Sequence, residues 1–239
     1  MTVYIGTSGF TYHHWIKEFY PDEIKHRNWL EYYAKHFDTV EINSSFYHLT
    51  DEKTFQSWYE RTPPNFVFTI KGSRYITHTK RLLVAQESVD LFMQRASKLK
   101  SKLKVVLWQL PPSFRSDSKR LDNFLKLFKN YDYQVAFEFR HESWFNAEIY
   151  EVLKQHNAAL VLSNSPDFPE KMVQTADFSY IRFHGGKDLY SSYYSSEEMN
   201  EWAKRIKKLS DARDVFAYFN NDANAFAVKN ALEIKNLLE

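Results

Sequence analysis

Hydrophobic positions along the chain switch repeatedly between a period of two and a period near that of an α-helix. Strand-like runs fall at VYIGTSG (3–9), FDTVEIN (37–43), FVFTIKG (66–72), KVVLWQL (104–110), QVAFEFR (134–140), AALVLSN (158–164), FSYIRFHG (178–185) and DVFAYFNN (214–221). They are short, rich in β-branched and aromatic residues, and bounded by turn residues, as strands are. Helical patterns lie between them, at NWLEYYAKHF (28–37), TFQSWYERT (54–62), LLVAQESVDLFMQRASKLK (82–100) and SKRLDNFLKLFKN (118–130). NAEIYEVLKQHN (146–157), SSEEMNEWAKRIKKL (195–209) and NAFAVKNALEIKNLL (224–238) complete the set. The connection after the sixth strand holds only PEKMVQTA (169–176), a turn or two at most, so the sixth helix is expected to be short or irregular.

Strands alternating with helices imply parallel strands joined by crossovers, the α/β class. Eight strands alternating with helices in 239 residues predict a (β/α)8 TIM-type barrel forming one domain over 1–239. An open doubly wound sheet fits less well. GTSGF after the first strand matches neither GxGxxG nor the P-loop pattern. The lysine-rich KLKSKLK (98–104) reads as a solvated helix end, where lysine complements the helix dipole.

A barrel gives the polar residues of the strands a meaning. Inward positions at the C-terminal ends of the strands meet at one mouth, the usual functional face. With Val40 and Ile42 facing the helices, Glu41 and Asn43 face in. The same alternation turns Thr69 and Lys71, Gln109, Glu138 and Arg140, Arg182 and His184, and Tyr218 and Asn220 inward. Ser8 ends the first strand; the sixth is ambiguous between Ser163 and Asn164. Three cations (Lys71, Arg140, Arg182) then face two carboxylates (Glu41, Glu138), with His184 able to change charge. Ionised groups are costly to bury unless they pair or serve a ligand. The bland alternative is therefore a salt-bridged plug, in which these charges neutralise one another.

The chemistry follows from residue type. Glu41 and Glu138 beside cations stay ionised and can act as bases, and His184 is the natural proton carrier. Arg140 and Arg182 suit bidentate capture of phosphate or carboxylate. Lys71 can donate a charged hydrogen bond, or form a Schiff base if neighbouring cations depress its pKa. Two carboxylates also allow glycoside hydrolysis, subject to their separation. Glu41, Glu138 and His184 can supply three metal ligands, but three cations beside them oppose a metal, and no cofactor is expected. Loop residues that can wall the mouth are Tyr12, His14, Trp15, Tyr47, His48 and His78, with His141, Trp144, Tyr190 and Tyr193 further along. His26, His36 and His156 are expected at the surface, and Asp222 or Asn224 is expected to cap the last helix.

Composition sets the remaining limits. Hydrophobic residues make up 44%, aromatics 18% and charged residues 26%, a globular balance. A formal net charge of +2 does not favour a nucleic-acid or membrane partner. With no cysteine, the chain has no thiolate for a disulfide or a zinc–thiolate site. No apolar run reaches the length of a membrane span, and the first residues lack a signal-peptide pattern. A cytoplasmic protein is the expectation.

IGTSGFTYHHW, FYP, VEINSSFY, TIKGSRYITH, LWQLPPSF, AFEFRHESW, YIRFHGG, YYS and FNNDANAFAVKNA, taken together, resemble the signature blocks of the YecE-like family, catalogued as domain of unknown function seventy-two. The blocks are collinear and run from residue 5 into the last helix. Phe10 stands where the family often has Trp, and Ser45 where it often has Thr. The resemblance implies a TIM-type barrel and marks Glu41, Asn43, Lys71, Gln109, Glu138, Arg140, Arg182, His184 and Asn220 as motif positions. It implies no reaction. The expectation is an enzyme on a small anionic or sugar-like substrate, with Glu41, Glu138 and His184 catalytic. Asn43, Lys71, Gln109, Arg140, Arg182 and Asn220 would bind that substrate. Isomerase, lyase and hydrolase chemistry stay open. The alternatives are a nucleic-acid-binding or non-catalytic anion-binding protein, or a metal-dependent phosphoesterase or nuclease.

Overall fold

The computed structural model describes residues 1–239. Its strands are β1 Val3–Thr7, β2 Thr39–Ile42, β3 Val67–Lys71, β4 Leu103–Gln109, β5 Gln134–Glu138, β6 Ala158–Leu160, β7 Leu162–Asn164, β8 Phe178–Phe183 and β9 Asp214–Phe219. Every strand pairing is parallel. One sheet has the order β2-β3-β4-β5-β6 and the other β1-β9-β8-β7. They adjoin at a parallel bridge between Ser8 and Glu41, and at Val161, where the chain passes from β6 to β7. The expected eight strands are thus nine in two sheets. The sixth splits because its first half pairs with β5 and its second with β8, and Val161 between them donates to the Phe137 carbonyl.

The helices are α1 Trp29–Tyr33, α2 Ser44–Tyr47, α3 Glu52–Glu60, α4 Gln86–Ala96, α5 Ser118–Lys126, α6 Ala147–Gln155, α7 Ser196–Ser210 and α8 Phe226–Leu238. Caps fix several starts: Asp51, Asp117 and Asn146 accept from the backbone N–H three residues on, and Ser195 forms a capping box with Glu198. α4 begins four residues later than its pattern, because Arg81 and Leu82 take left-handed φ values of 48° and 67°. Residues 165–177 contain neither helix nor strand, so the sixth helix is missing rather than short. KLKSKLK is a solvated helix end only in part: Lys98, Lys100 and Lys104 reach solvent, but Lys102 does not. A 3-10 stretch, Ser97–Lys102, buries Lys102, whose ammonium donates to the carbonyls of Tyr59 and Thr62. No helix is long and apolar enough to cross a membrane.

Strand alternation sorts side chains as the pattern predicts. Val40, Ile42, Phe68, Ile70, Trp108, Phe137, Ile181 and Phe183 join the large apolar cluster under the helices. The opposite face forms a separate cluster that includes Val105, Leu107, Ala136, Val161, Tyr180 and Tyr218. Each of these large side chains, fully buried, contributes about 1.5–3 kcal/mol. The sixth strand's register is settled: Val161 and Ser163 share the inner face, while Asn164 pairs with Glu170 and Tyr194. Gly72 lets β3 pass close to Trp108, since a Cβ there would lie 2.2 Å from the indole ring.

Candidate functional site

Beyond the inner apolar cluster the polar side chains fall into layers. The deepest is a hydroxyl cluster: the Tyr218 hydroxyl meets Thr39 Oγ1 at 2.7 Å and Thr69 Oγ1 at 2.9 Å. Tyr218 and Thr69 therefore end below the mouth.

The next layer is an ion network around Arg182, which is fully buried. Its Nη2 and Nε donate to the two oxygens of Glu41, at 2.7 and 3.0 Å. Its Nη1 donates to Glu138 Oε2. Ser8 and Tyr180 donate to Glu41 at 2.6 and 2.7 Å. Arg140 Nε and Nη2 reach Glu138 Oε1 at 3.1 and 3.0 Å. Burial alone would raise both carboxyl pKa values. For Glu41 the charge and hydrogen bonds of Arg182 reverse that, and for Glu138 Arg140, Arg182 and His184 do, so both lie below the usual carboxylate range.

His184 is held at both ring nitrogens. Asn220 Nδ2 donates to Nδ1 at 3.1 Å, which leaves Nε2–H to donate to Glu138 Oε1 at 3.1 Å. Burial is the largest influence on the imidazole and lowers its pKa to about 4, against the pull of Glu138. It is neutral at pH 7.

Above this network opens a cavity of about 680 Å³. Glu41, Glu138 and His184 are beneath its wall, whereas Lys71, Gln109, Arg140, Arg182, Asn43 and Asn220 line it. Of the loop residues, Tyr12, His14, Tyr47, His78 and Tyr190 line it too. Trp15 is fully buried behind it, Trp144 is core, and His48, His141 and Tyr193 lie elsewhere. His26 is exposed, but His36 is half-buried, and His156 is half-buried against Asp122. A larger cleft, about 840 Å³, involves residues at the starts of β4, β5 and β9 and none of the predicted site residues.

Lys71 differs from the other charged groups. It is 8% exposed and forms no salt bridge or hydrogen bond through Nζ, which sits 4.2 Å from the Phe46 ring centroid. Burial first, then the charge of Arg182, lowers its pKa to about 7. Asn43 also lines the cavity, and its side-chain oxygen is buried without a partner.

Sequence reasoning missed three contributors. Arg74 precedes a π-turn, Tyr75–Thr79, that contains His78, a feature frequent at functional sites. Phe168, from the helix-free segment, packs on the Arg140 guanidinium at 4.2 Å. Asp222 caps nothing through its side chain: Trp15 Nε1 donates to it at 2.8 Å and His14 Nε2 lies 3.0 Å away. Burial raises its pKa to about 6. Of the two residues from this turn that line the cavity, only His78 was predicted, as a loop residue following β3.

The sequence model described as a protein of unknown function, DUF72, matches residues 4–239. The chain belongs to the DUF72 family. Its similarity to the UPF0759 protein YunF of Bacillus subtilis is 28% identity over 271 residues, spanning 99% of this chain and 95% of that one. The crystal structure of a DUF72 family protein from Thermotoga maritima superposes with a TM-score of 0.89 at 32% identity, covering 100% of this chain and 99% of that one. D-Psicose 3-epimerase from Clostridium cellulolyticum, solved with D-tagatose, matches at a TM-score of 0.60 and 11% identity over 100% and 98% of the two chains. That likeness shows the fold alone, a parallel TIM-barrel-like α/β arrangement.

Proposed function

We propose that this DUF72 protein is an enzyme that binds a small anionic, oxygen-rich molecule in the mouth cavity. One observation carries the reading. Four cationic residues, Lys71, Arg74, Arg140 and Arg182, line the cavity against a single carboxylate there, Asp222. Glu41 and Glu138 are already engaged beneath it. In a recess of low dielectric such a surplus draws a carboxylate, a phosphate or a polarised carbonyl oxygen.

Roles follow from position. Arg74 and Arg140 hold the anion, and Asn43, Gln109 and Asn220 orient its hydroxyl or carbonyl groups. Glu41, Glu138 and His184 act as positioning residues: they fix Arg182 and Arg140 and hold the network's charge. Proton transfer at the ligand falls to Lys71 and Asp222, whose pKa values of about 7 and about 6 suit acid–base work near neutrality. The fold neighbour solved with D-tagatose is a protein of this architecture studied with a ketose, compatible with a polyhydroxy substrate.

Thermal-shift and calorimetric titration with inorganic phosphate, pyruvate, sugar phosphates, neutral sugars and a short oligonucleotide tests this. A ligand of the folded state at a hundred times its Kd stabilises by about 2.7 kcal/mol. Phosphate or pyruvate should shift the wild type, and Arg74→Ala, at an exposed position with no side-chain hydrogen bond or salt bridge, should weaken the effect several-fold. The reading fails if no anion binds, or if Arg74→Ala and Arg140→Gln both bind as the wild type does. Preference for the oligonucleotide would favour a nucleic-acid-binding protein instead.

A further inference from the structure

We infer that Lys71 forms an imine with its ligand, which makes the substrate class an aldehyde or ketone carrying a carboxylate or phosphate. The inference rests on the anion-binding reading above and narrows it.

Three features support it. Nζ is the one cationic group of the buried site without an internal acceptor, and it faces the cavity from an otherwise enclosed stem. The ring of Phe46 from α2 favours its charged form, but burial and the charges of Arg182 from β8 and Arg140 beyond β5 disfavour it. Glu138 and Glu41 oppose them and are outweighed. At pH 7 about half of Lys71 is therefore the nucleophilic free amine, against roughly one in 3,000 of an ordinary lysine. Lastly, Asn43 lines the same cavity, and its buried side-chain oxygen has no internal partner and is free to accept from the hydroxyl formed on attack.

The step balances without a further reagent. The Nζ lone pair bonds to the carbonyl carbon, and the C=O π pair moves to oxygen, which takes a proton from Asp222 or water. The resulting carbinolamine loses Nζ–H and hydroxide as water, leaving a C=N bond. Hydrolysis reverses it. Arg140 and Arg74 hold the anionic end, and burial together with the charge of Arg182 keeps about half of the amine free at pH 7.

The test uses the full chain with pyruvate or dihydroxyacetone phosphate, cyanoborohydride reduction, and peptide mapping by mass spectrometry. Lys204, an exposed residue, serves as the internal reference. We expect a saturable adduct, one per chain, at Lys71, formed at pH 7 at least about tenfold faster than at Lys204 and suppressed by inorganic phosphate. Labelling of Lys71 no faster than Lys204 with either probe overturns the imine. Calorimetry on the same samples separates the two readings. Phosphate binding with Lys71 unlabelled overturns the imine alone; no binding of phosphate or pyruvate, and no adduct, overturns both.

Discussion

Lys71→Met should make the protein more stable at neutral pH, and the gain should shrink as pH rises. Methionine keeps the length of the side chain and its contact with Phe46. The ammonium has a pKa of about 7 when folded and an ordinary value of 10.5 when exposed. Between those values the unfolded chain holds a proton that the folded chain has released, so wild-type stability rises with pH there. Below pH 7 the full cost is present. At about 1.36 kcal/mol per pKa unit, the gap from 10.5 to about 7 corresponds to about 5 kcal/mol. Loss of the cation–π contact with Phe46 offsets up to about 1 kcal/mol, so Lys71→Met should gain about 3–4 kcal/mol at pH 6–7. Near pH 9.5 only about 1 kcal/mol of the cost remains. The assay is urea unfolding of both proteins from pH 6 to 9.5, with equal m-values required before midpoints are compared. Among the neighbours, Glu41, Glu138 and Arg182 keep their charge across this range, His78 and His184 titrate near pH 4 and Asp222 near 6, so the difference above pH 7 isolates Lys71. A difference that is flat with pH, or a variant less stable throughout, would refute the reasoning and with it the depressed pKa.

Glu41→Gln should destabilise by about 3–5 kcal/mol, since it strips the charge paired with a fully buried guanidinium; a urea midpoint near wild type would contradict the network. His184→Gln should remove a pH slope. Because the folded imidazole titrates near 4 rather than 6.5, wild-type stability is fully present above pH 6.5 and falls by about 3 kcal/mol as pH drops towards 4. The variant-minus-wild-type difference between pH 6.5 and 4.5, from thermal unfolding, checks it. Gly72→Ala should cost about 1–3 kcal/mol by driving a methyl into the Trp108 ring, and an unchanged denaturation midpoint would show that the indole can shift.

Alternation was the part of the fold most legible in the sequence. Along β2, β3, β5 and β8 a strict period of two separates Ile42, Ile70, Phe137 and Ile181 from Glu41, Thr69, Glu138 and Arg182, and the structure keeps that division. The sixth strand was hard to read because AALVL is apolar on both faces, so its pattern carries no phase. Residues 165–177 were illegible for another reason: Phe168 is placed by stacking on Arg140, a contact distant in sequence. Asp222 misled because Asp before a helix is a good cap, whereas its partners, Trp15 and His14, lie more than two hundred residues earlier. Local pattern cannot register such a contact.

Parity also says nothing about depth, and depth separates the engaged charges from the free one. The register partners of Glu41 across the first sheet are Thr69, Val105 and Gln134. The polar site residues of those strands are Lys71, Gln109 and Glu138, displaced by two, four and four positions (71 − 69, 109 − 105, 138 − 134). This climb is the stagger that tilted strands require in a barrel-like sheet. Lys71 thus lies two residues, about 6–7 Å along its strand, beyond the position that pairs with Glu41. Glu138 climbs further, but its oxygens are taken by Arg140, Arg182 and His184. A lysine on that strand, at that step of the stagger, has no carboxylate to neutralise it, and so the amine is left to the cavity.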